Sequence, residues 1–444
     1  MKTSIRATVI VLGALLAVGQ PAALARPATL DQTAAAEPSR VDALGVPGES
    51  VVQWSEWRNV GANYTWSYGS HLTTTSSATK TYLHDVASTD RVNGKWADNN
   101  GPYVGVNYVR GNAIGSSWGT PFRLNSKDQH GDGGAVAASG KFVYTTWYRI
   151  TKWINYNPDA PRTLYFRRNT SHGAADSWKA RLALTSTSGR VGSPSVAAAG
   201  TYVYVAYTDA NTGSIRVARS SDRGVTWTKS TIGSTTFETF QGFEGEPSIS
   251  AVGSNVVVSW IGDASFAVVA RVSTNNGADW DTETVLAESS NGSNATAARD
   301  DRLGVAWTTD SGASVSLWAT GTWGAATTAG PPAGNGRTYS RDRQPALAFG
   351  EADLVGVAWT ACWATCDGFE SSTRDDLVWA ESNDDGATWF AAQVVADGSE
   401  STYRINDAPS IVWRTADQRL VAWNGWHPTD GYYRMFLRAG VGTN

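Results

Sequence analysis

The strongest constraint on this chain is a phrase that recurs along it. A Pro or small residue opens a short apolar strand, a Gly or Asp turn follows, and a second strand of alternating β-formers ends in an aromatic. Gly192-Ser193-Pro194-Ser195-Val196 leads to Val203-Tyr204-Val205-Ala206-Tyr207, and Gly245-Glu246-Pro247-Ser248-Ile249 leads to Val256-Val257-Val258-Ser259-Trp260. Gln344-Pro345-Ala346-Leu347 precedes Val355-Gly356-Val357-Ala358-Trp359, and Ala408-Pro409-Ser410-Ile411 precedes Leu420-Val421-Ala422-Trp423, with weaker copies ending at Trp147 and Trp307. The closing aromatics lie 60, 53, 47, 52 and 64 residues apart, room for about four short strands per unit. Period-two alternation without helical periodicity predicts an all-β chain. Units of this size favour a β-propeller of six to seven four-stranded blades over an array of two-sheet sandwiches. Tyr82 to Asp90 and Tyr103 to Leu124 supply strands for a seventh unit. With six blades, residues 50 to 125 would form something else. Val51 to Val60 is placed to complete the last unit, which lacks a final strand after Tyr432 to Leu437, and such closure removes two exposed sheet edges.

Aromatics at 11% and hydrophobics at 41% are too abundant for a disordered chain, and a net charge of -4 gives no general attraction to nucleic acid or an anionic membrane. Residues 1–25 read as a signal peptide: Lys2 and Arg6 are a basic start, Val9 to Val18 is an apolar run too short to span a bilayer, and Ala23-Leu24-Ala25 is a small-x-small cleavage pattern. Residues 26–49, rich in Ala and Pro, read as a linker, leaving 50–440 as a single propeller domain. No other stretch is apolar enough to cross a membrane, so a secreted, extracellular monomer is expected. Export exposes Cys362 and Cys366, four apart in a Trp-rich loop, to oxidation, and a local disulfide is the expected state. The five histidines lie in no metal-spaced motif. No cofactor is expected, with structural calcium the one option left open.

Within several units a second signature appears. Ser220-Ser221-Asp222-Arg223-Gly224-Val225-Thr226-Trp227 and Ser382-Asn383-Asp384-Asp385-Gly386-Ala387-Thr388-Trp389 share Ser-x-Asp-x-Gly-x-Thr-Trp, and Ser273-Thr274-Asn275-Asn276-Gly277-Ala278-Asp279-Trp280 is a near copy. Asp222, Asn275 and Asp384 would accept backbone N–H bonds across a hairpin. Gly224, Gly277 and Gly386 would supply positive φ, and Trp227, Trp280 and Trp389 would pack into the blade. This pattern resembles the Asp box of the sialidase (neuraminidase) superfamily of bacterial-neuraminidase-repeat propellers. The resemblance implies a structural role for these residues, on the face away from an active site.

Residues just ahead of each inner strand should converge at one mouth of the central channel. Reading round the ring they are His84 and Asp85, His130 and Asp132, Arg190, Glu244 and Glu246, Asn294, Arg341 to Arg343, then Tyr403, Arg404 and Asp407. Arg190, Arg343 and Arg404 could pin a carboxylate or sulfate through planar charge-assisted bonds. Glu244 and Glu246, two apart on an extended segment, face one way, and crowding would raise the pKa of one. The sialidase resemblance implies a Tyr nucleophile activated by a Glu, with an Asp as acid. Glu246 matches the family's mid-chain Glu, Tyr339 or Tyr403 the nucleophile, Asp85 or Asp132 the acid, and Arg343 and Arg404 the late arginines. No Phe/Tyr-Arg-Ile-Pro segment occurs near the start, the partial match being Tyr403-Arg404-Ile405-Asn406.

The expected function is thus a secreted, sialidase-like glycoside hydrolase acting on glycans, including acidic sugars, at the channel mouth. Two alternatives stand beside it. One is a glycan-binding, lectin-like propeller, with Trp153, Trp363 and Trp426 as exposed stacking platforms. The other is a polysaccharide lyase, with His130 or His84 as base, a Tyr as acid and an Arg neutralising a uronate.

Overall fold

Strands such as Tyr202–Asp209 and Asn255–Ile261 alternate β-branched and aromatic residues that are buried on both faces, so each sheet must be covered on both sides. Propeller packing achieves this. The computed structural model describes residues 51–55, 58–59, 67–89, 91–92, 95–96, 105–126, 129–150, 161–239, 242–243, 245–339, 341–364, 374–398, 404–405, 409–415, 418–427 and 432–443. The expected signal segment and linker lie outside them. Seven antiparallel sheets of at least four strands form the blades, and no α-helix occurs among the described residues.

The first strands of the blades are Ser67–Ser76, His130–Ser139, Ser195–Ala199, Ser248–Val252, Asn294–Arg299, Arg341–Phe349 and Ser410–Thr415. Each touches the next, and the last touches the first, closing a ring. Val51–Trp54 and Arg58–Asn59 pair antiparallel with Tyr432–Thr443, so the seventh blade is completed by the earliest described strands, the closure the sequence suggests. Seven apolar clusters, one between each pair of neighbouring blades, make up the core. Trp147, Tyr207, Trp260, Trp307, Trp359 and Trp423 each fill the cluster against the preceding blade. The first blade offers Leu72, Leu83, Ala87 and Val109 to its cluster with the seventh, without a closing aromatic, which is why the repeat alone left the blade count open.

The Ser-x-Asp-x-Gly-x-Thr-Trp hairpins join third to fourth strands. Asp222 Oδ1 accepts from the Val225 and Thr226 amides at 3.0 and 2.9 Å, and Thr226 Oγ1 donates to Oδ2 at 2.6 Å. Asp384 and Asn275 repeat the pattern. A Cβ on Gly224, at φ 79°, would lie 2.5 Å from the Phe166 ring of the preceding blade. Two further hairpins use the same device without the sequence pattern. Asn169 Oδ1 accepts from the Ser171 and Gly173 amides, standing in for Ser220 Oγ, and Asn112 Oδ1 accepts from the Ser116 and Ser117 amides.

Candidate functional site

Arg223, Asn276 and Asp385 in the hairpins donate their amides to Thr201, Ser254 and Asp353 in the turns after the first strands. Hairpins and those turns therefore share one face of the ring. The first strands begin at the opposite face, together with the inter-blade connections and the turns between second and third strands. Neighbouring mouths are tied there: Asn294 Nδ2 donates to the Glu246 carbonyl at 3.0 Å, and Asn291 Nδ2 to the Asp342 carbonyl at 2.8 Å.

Among the described residues, the densest polar cluster at this face is on the sixth blade. The connection after Thr327–Ala329 brings Asn335, Arg337 and Tyr339 across the mouth end of strand Arg374–Ser382. Asp376, with no exposed surface, accepts from Arg337, from the Tyr339 hydroxyl at 2.7 Å, from Trp363 Nε1 at 3.1 Å and from the Gly398 amide at 2.9 Å. Arg337 also reaches Asp397 with both carboxylate oxygens at 2.7 and 2.8 Å, and lies 4.3 Å over the Trp363 ring. Asn335 donates to the Tyr339 hydroxyl at 2.7 Å. Burial, followed by the Asp376 charge, raises the Tyr339 pKa, so the phenol keeps its proton.

Asp342 stands on the same face of the same sheet. Asp342 and Asp376 both pair with Ala361, so two strand spacings, about 10 Å, separate their backbones and both side chains turn towards the fifth blade. Asp342 is fully buried, and among the described residues neither carboxylate oxygen has a hydrogen-bond partner. Burial above all, with Asp310 and Asp375 adding their charge, pushes its pKa up to about 7.

The other sequence candidates are dispersed. Glu246 is exposed, in the left-handed region at φ 43°, and is not among the partners of Tyr339. Asp132 accepts from the Gly133 amide at 2.8 Å and the Tyr148 hydroxyl at 3.3 Å. Asp85 and His84 are buried in the middle of strand Thr81–Thr89, the second of the first blade, and not at the leading end of an inner strand as the sequence suggested. Arg190 is half-buried in the connection into the third blade. Arg343 pairs with Thr360 and Arg404 with Trp426 through their backbones, but their side chains, with Glu244 and Tyr403, lie outside the described residues. So do Cys366, and with it the expected disulfide partner of the buried Cys362. Trp363 is half-buried and engaged with Asp376 and Arg337, which corrects its reading as an exposed platform. Asp376 escaped sequence reasoning because it lies on a third strand and not ahead of an inner one, and Arg337 and Asp397, in the connections into the sixth and seventh blades, lie farther from the Pro-marked segments than the residues singled out. Among the described residues, no group of three or more His, Cys, Asp or Glu could hold a metal ion.

No protein-family model matches the chain, and no curated protein matches it. Among solved structures it is similar to a protein of unknown function from Dyadobacter fermentans, with TM-score 0.51 and 11% identity over 89% of this chain and 100% of that one. It is also similar to a leech intramolecular trans-sialidase complexed with 2,7-anhydro-Neu5Ac, with TM-score 0.46 and 10% identity over 69% of this chain and 67% of that one. A Hadza microbial sialidase gives 0.44 and 10% over 86% and 66%. At these identities the shared property is the fold alone: in architecture the chain is a seven-bladed propeller.

Proposed function

We propose that the chain is an exported glycoside hydrolase whose reacting groups lie at the mouth end of the sixth blade, its Ser-x-Asp-x-Gly-x-Thr-Trp hairpins being Asp boxes. The observation that carries this reading is the 2.7 Å contact between the Tyr339 hydroxyl and a buried carboxylate, Asp376, beside a second buried acid held near neutrality. Environments that separate two acids in this way suit them to different roles. Tyr339 Oη forms the bond to the anomeric carbon and passes its proton to Asp376. As the glycosidic C–O bond breaks, Asp342 gives its proton to the leaving oxygen; water then attacks the anomeric carbon and gives a proton to Asp342, while the tyrosyl–sugar bond breaks and Asp376 returns its proton to Tyr339. Asp342 is buried in this structure, so donation requires the mouth end of the blade to open. Asn335 and Arg337 position the pair, and the arginines ahead of the late inner strands, Arg343 and Arg404, are the candidates for holding an acidic sugar.

A panel of chromogenic glycosides, sialosides included, and acidic polysaccharides tests this with the full chain. Tyr339→Phe should lower turnover by about 10³-fold without unfolding, as judged by circular dichroism. Turnover surviving in Tyr339→Phe removes the nucleophile, and no turnover by wild type removes the hydrolase. The lectin-like reading is favoured by one fact: Asp376 already accepts from four donors, as a staple would. On that reading glycans are retained and never cleaved.

A further inference from the structure

On the hairpin face, away from the sixth-blade cluster, a cleft of about 940 Å³ opens between the first two blades, bordered by Arg414 of the seventh. Its rim is built from the turn Ser77 to Lys80, the first-blade hairpin ending at Trp118 and the second-blade hairpin ending at Trp178. These are the two hairpins whose Asn anchors replace the serine of the regular pattern. The second-blade copy has two more residues between its Gly and its Trp than Gly224–Trp227 has, and these fold as the 3-10 turn Ala175–Ser177.

The lining joins two chemistries. Tyr82, Trp118 and Phe122 are half-buried aromatics on its walls. Tyr108 forms part of the floor, its hydroxyl 2.7 Å from Nδ1 of the fully buried His84, whose Nε2 meets Thr75 Oγ1 at 2.8 Å. A Cβ on Gly173, at φ 73°, would strike that hydroxyl, so glycine is required there for the floor to form. The charges are all of one sign. Lys80, Arg110 and Arg414 line the cleft, and among the described residues no Asp or Glu lines it and none of the three cations makes an ion pair. Arg110 is held 4.9 Å over the Tyr82 ring, with Nη1 donating to the His172 carbonyl at 3.1 Å, so its fork is oriented before any ligand arrives. On a chain of net charge -4, a cleft lined by uncompensated cations concentrates anions.

We propose that this cleft is a second carbohydrate site, built for an acidic saccharide: the aromatic walls take the apolar face of a sugar ring while Arg110, with Lys80 and Arg414, takes a uronate carboxylate. A planar guanidinium matches a carboxylate, and convergent polar groups in a largely aromatic cavity are the usual form of a small-ligand site. It would tether polymer on one face of the ring while the opposite face meets the scissile bond.

The probes are tetragalacturonate and its carboxyl-reduced counterpart, titrated against the full chain while tryptophan fluorescence is followed, since Trp118 and Trp178 line the cleft. Saturable binding of the acid is expected, about tenfold weaker for the reduced sugar and about tenfold weaker in Arg110→Gln, with a smaller loss in Lys80→Gln, which lies on an exposed turn and carries no folding risk. Equal affinity for the two sugars, binding unchanged in both variants, or no saturable binding by wild type would each overturn the proposal. Hydrolysis of a monosaccharide chromogenic glycoside, too short to reach both faces, should survive in Arg110→Gln if wild type shows it. If binding and hydrolysis fall together in that variant, there is one site and not two. If wild type cleaves nothing, the binding result still stands.

Discussion

The two faces of the ring treat their carboxylates in opposite ways. On the hairpin face Asp222 is half-buried and its oxygens accept from two amides and two hydroxyls, contacts supplied by residues within four positions of it in sequence. At the mouth of the sixth blade Asp376 is buried and takes its donors from Arg337, Tyr339, Trp363 and Gly398, up to 39 positions away, while the Asp342 carboxylate has no hydrogen-bond partner among the described residues. The first arrangement recurs because it solves a local problem, that of turning a chain between two strands. The second, a buried carboxylate fed by donors from distant parts of the chain beside a buried acid of raised pKa, is found on one blade among the described residues, and such a pairing within a repeating scaffold points to use rather than to folding; buried charge alone does not, since Glu381 and Arg419 pair out of solvent between the sixth and seventh blades.

If that distinction holds, perturbing the mouth should cost far more than perturbing a hairpin. The largest stability effect expected is that of Arg337→Ala. Removing it leaves Asp376, which has no exposed surface, without this cation and takes the Arg337 contact from Asp397. Breaking one side of such a pair costs about 3–5 kcal/mol, and the partial exposure of Arg337, 15% of its side chain, argues for the lower end. Urea denaturation at pH 7 measures it. A loss under about 1 kcal/mol would mean that the cluster is hydrated and that the contrast between the faces is overstated.

Asp342→Asn sharpens the comparison through pH. The folded-state pKa is raised from 3.8 to about 7, so the native state holds a proton that the unfolded state releases. The cost of burying this group is absent below about pH 4, grows as pH rises towards 7, and is complete above it. Replacement by Asn removes that cost, so the variant should gain roughly 2–4 kcal/mol over wild type at pH 8 and lose most of this advantage near pH 3.5. Denaturation midpoints at the two pH values decide the matter. An advantage independent of pH would show that Asp342 does not titrate where its burial implies. The same group, if it donates a proton, should give hydrolysis that falls as pH rises through 7.

The architecture was legible because a repeat states it several times. Trp147, Tyr207, Trp260, Trp307, Trp359 and Trp423 mark six of the seven blades at one packing position, and Gly224, Gly277 and Gly386 mark three of the hairpins. The degenerate hairpins at Asn112 and Asn169 were not legible, since a carboxamide oxygen accepts the same amides as a serine hydroxyl while the pattern of letters changes. Of the site, Tyr339 was named in advance but its partner was not. Convergence of Asp376 with Tyr339 depends on the path of the connection into the sixth blade, and no local spacing encodes that path. The signal that could have helped is the run Arg374-Asp375-Asp376, two acids at the mouth end of a strand otherwise rich in apolar residues.

The smallest effect expected is on the hairpin face, where the chain itself supplies the control. In the fourth-blade hairpin Asn275 already stands at the position of Asp222, accepting from the Asp279 amide at 2.9 Å and donating Nδ2 to the Asp279 carboxylate. Asp222→Asn should therefore keep the amide contacts and exchange a hydroxyl donor for a hydroxyl acceptor at Thr226, costing about 0.5 kcal/mol or less at pH 7. Asp222→Ala gives up those contacts at an exposed turn whose amides water can satisfy, a loss of about 1 kcal/mol. The sign with pH is opposite to that at the mouth. Hydrogen bonds from Thr226 lower the Asp222 pKa, so its contribution is present above about pH 4 and disappears as pH falls further. Thermal midpoints of the two variants at pH 7 and pH 3 measure this, and a Asp222→Asn loss as large as that of Arg337→Ala would erase the difference between the two faces.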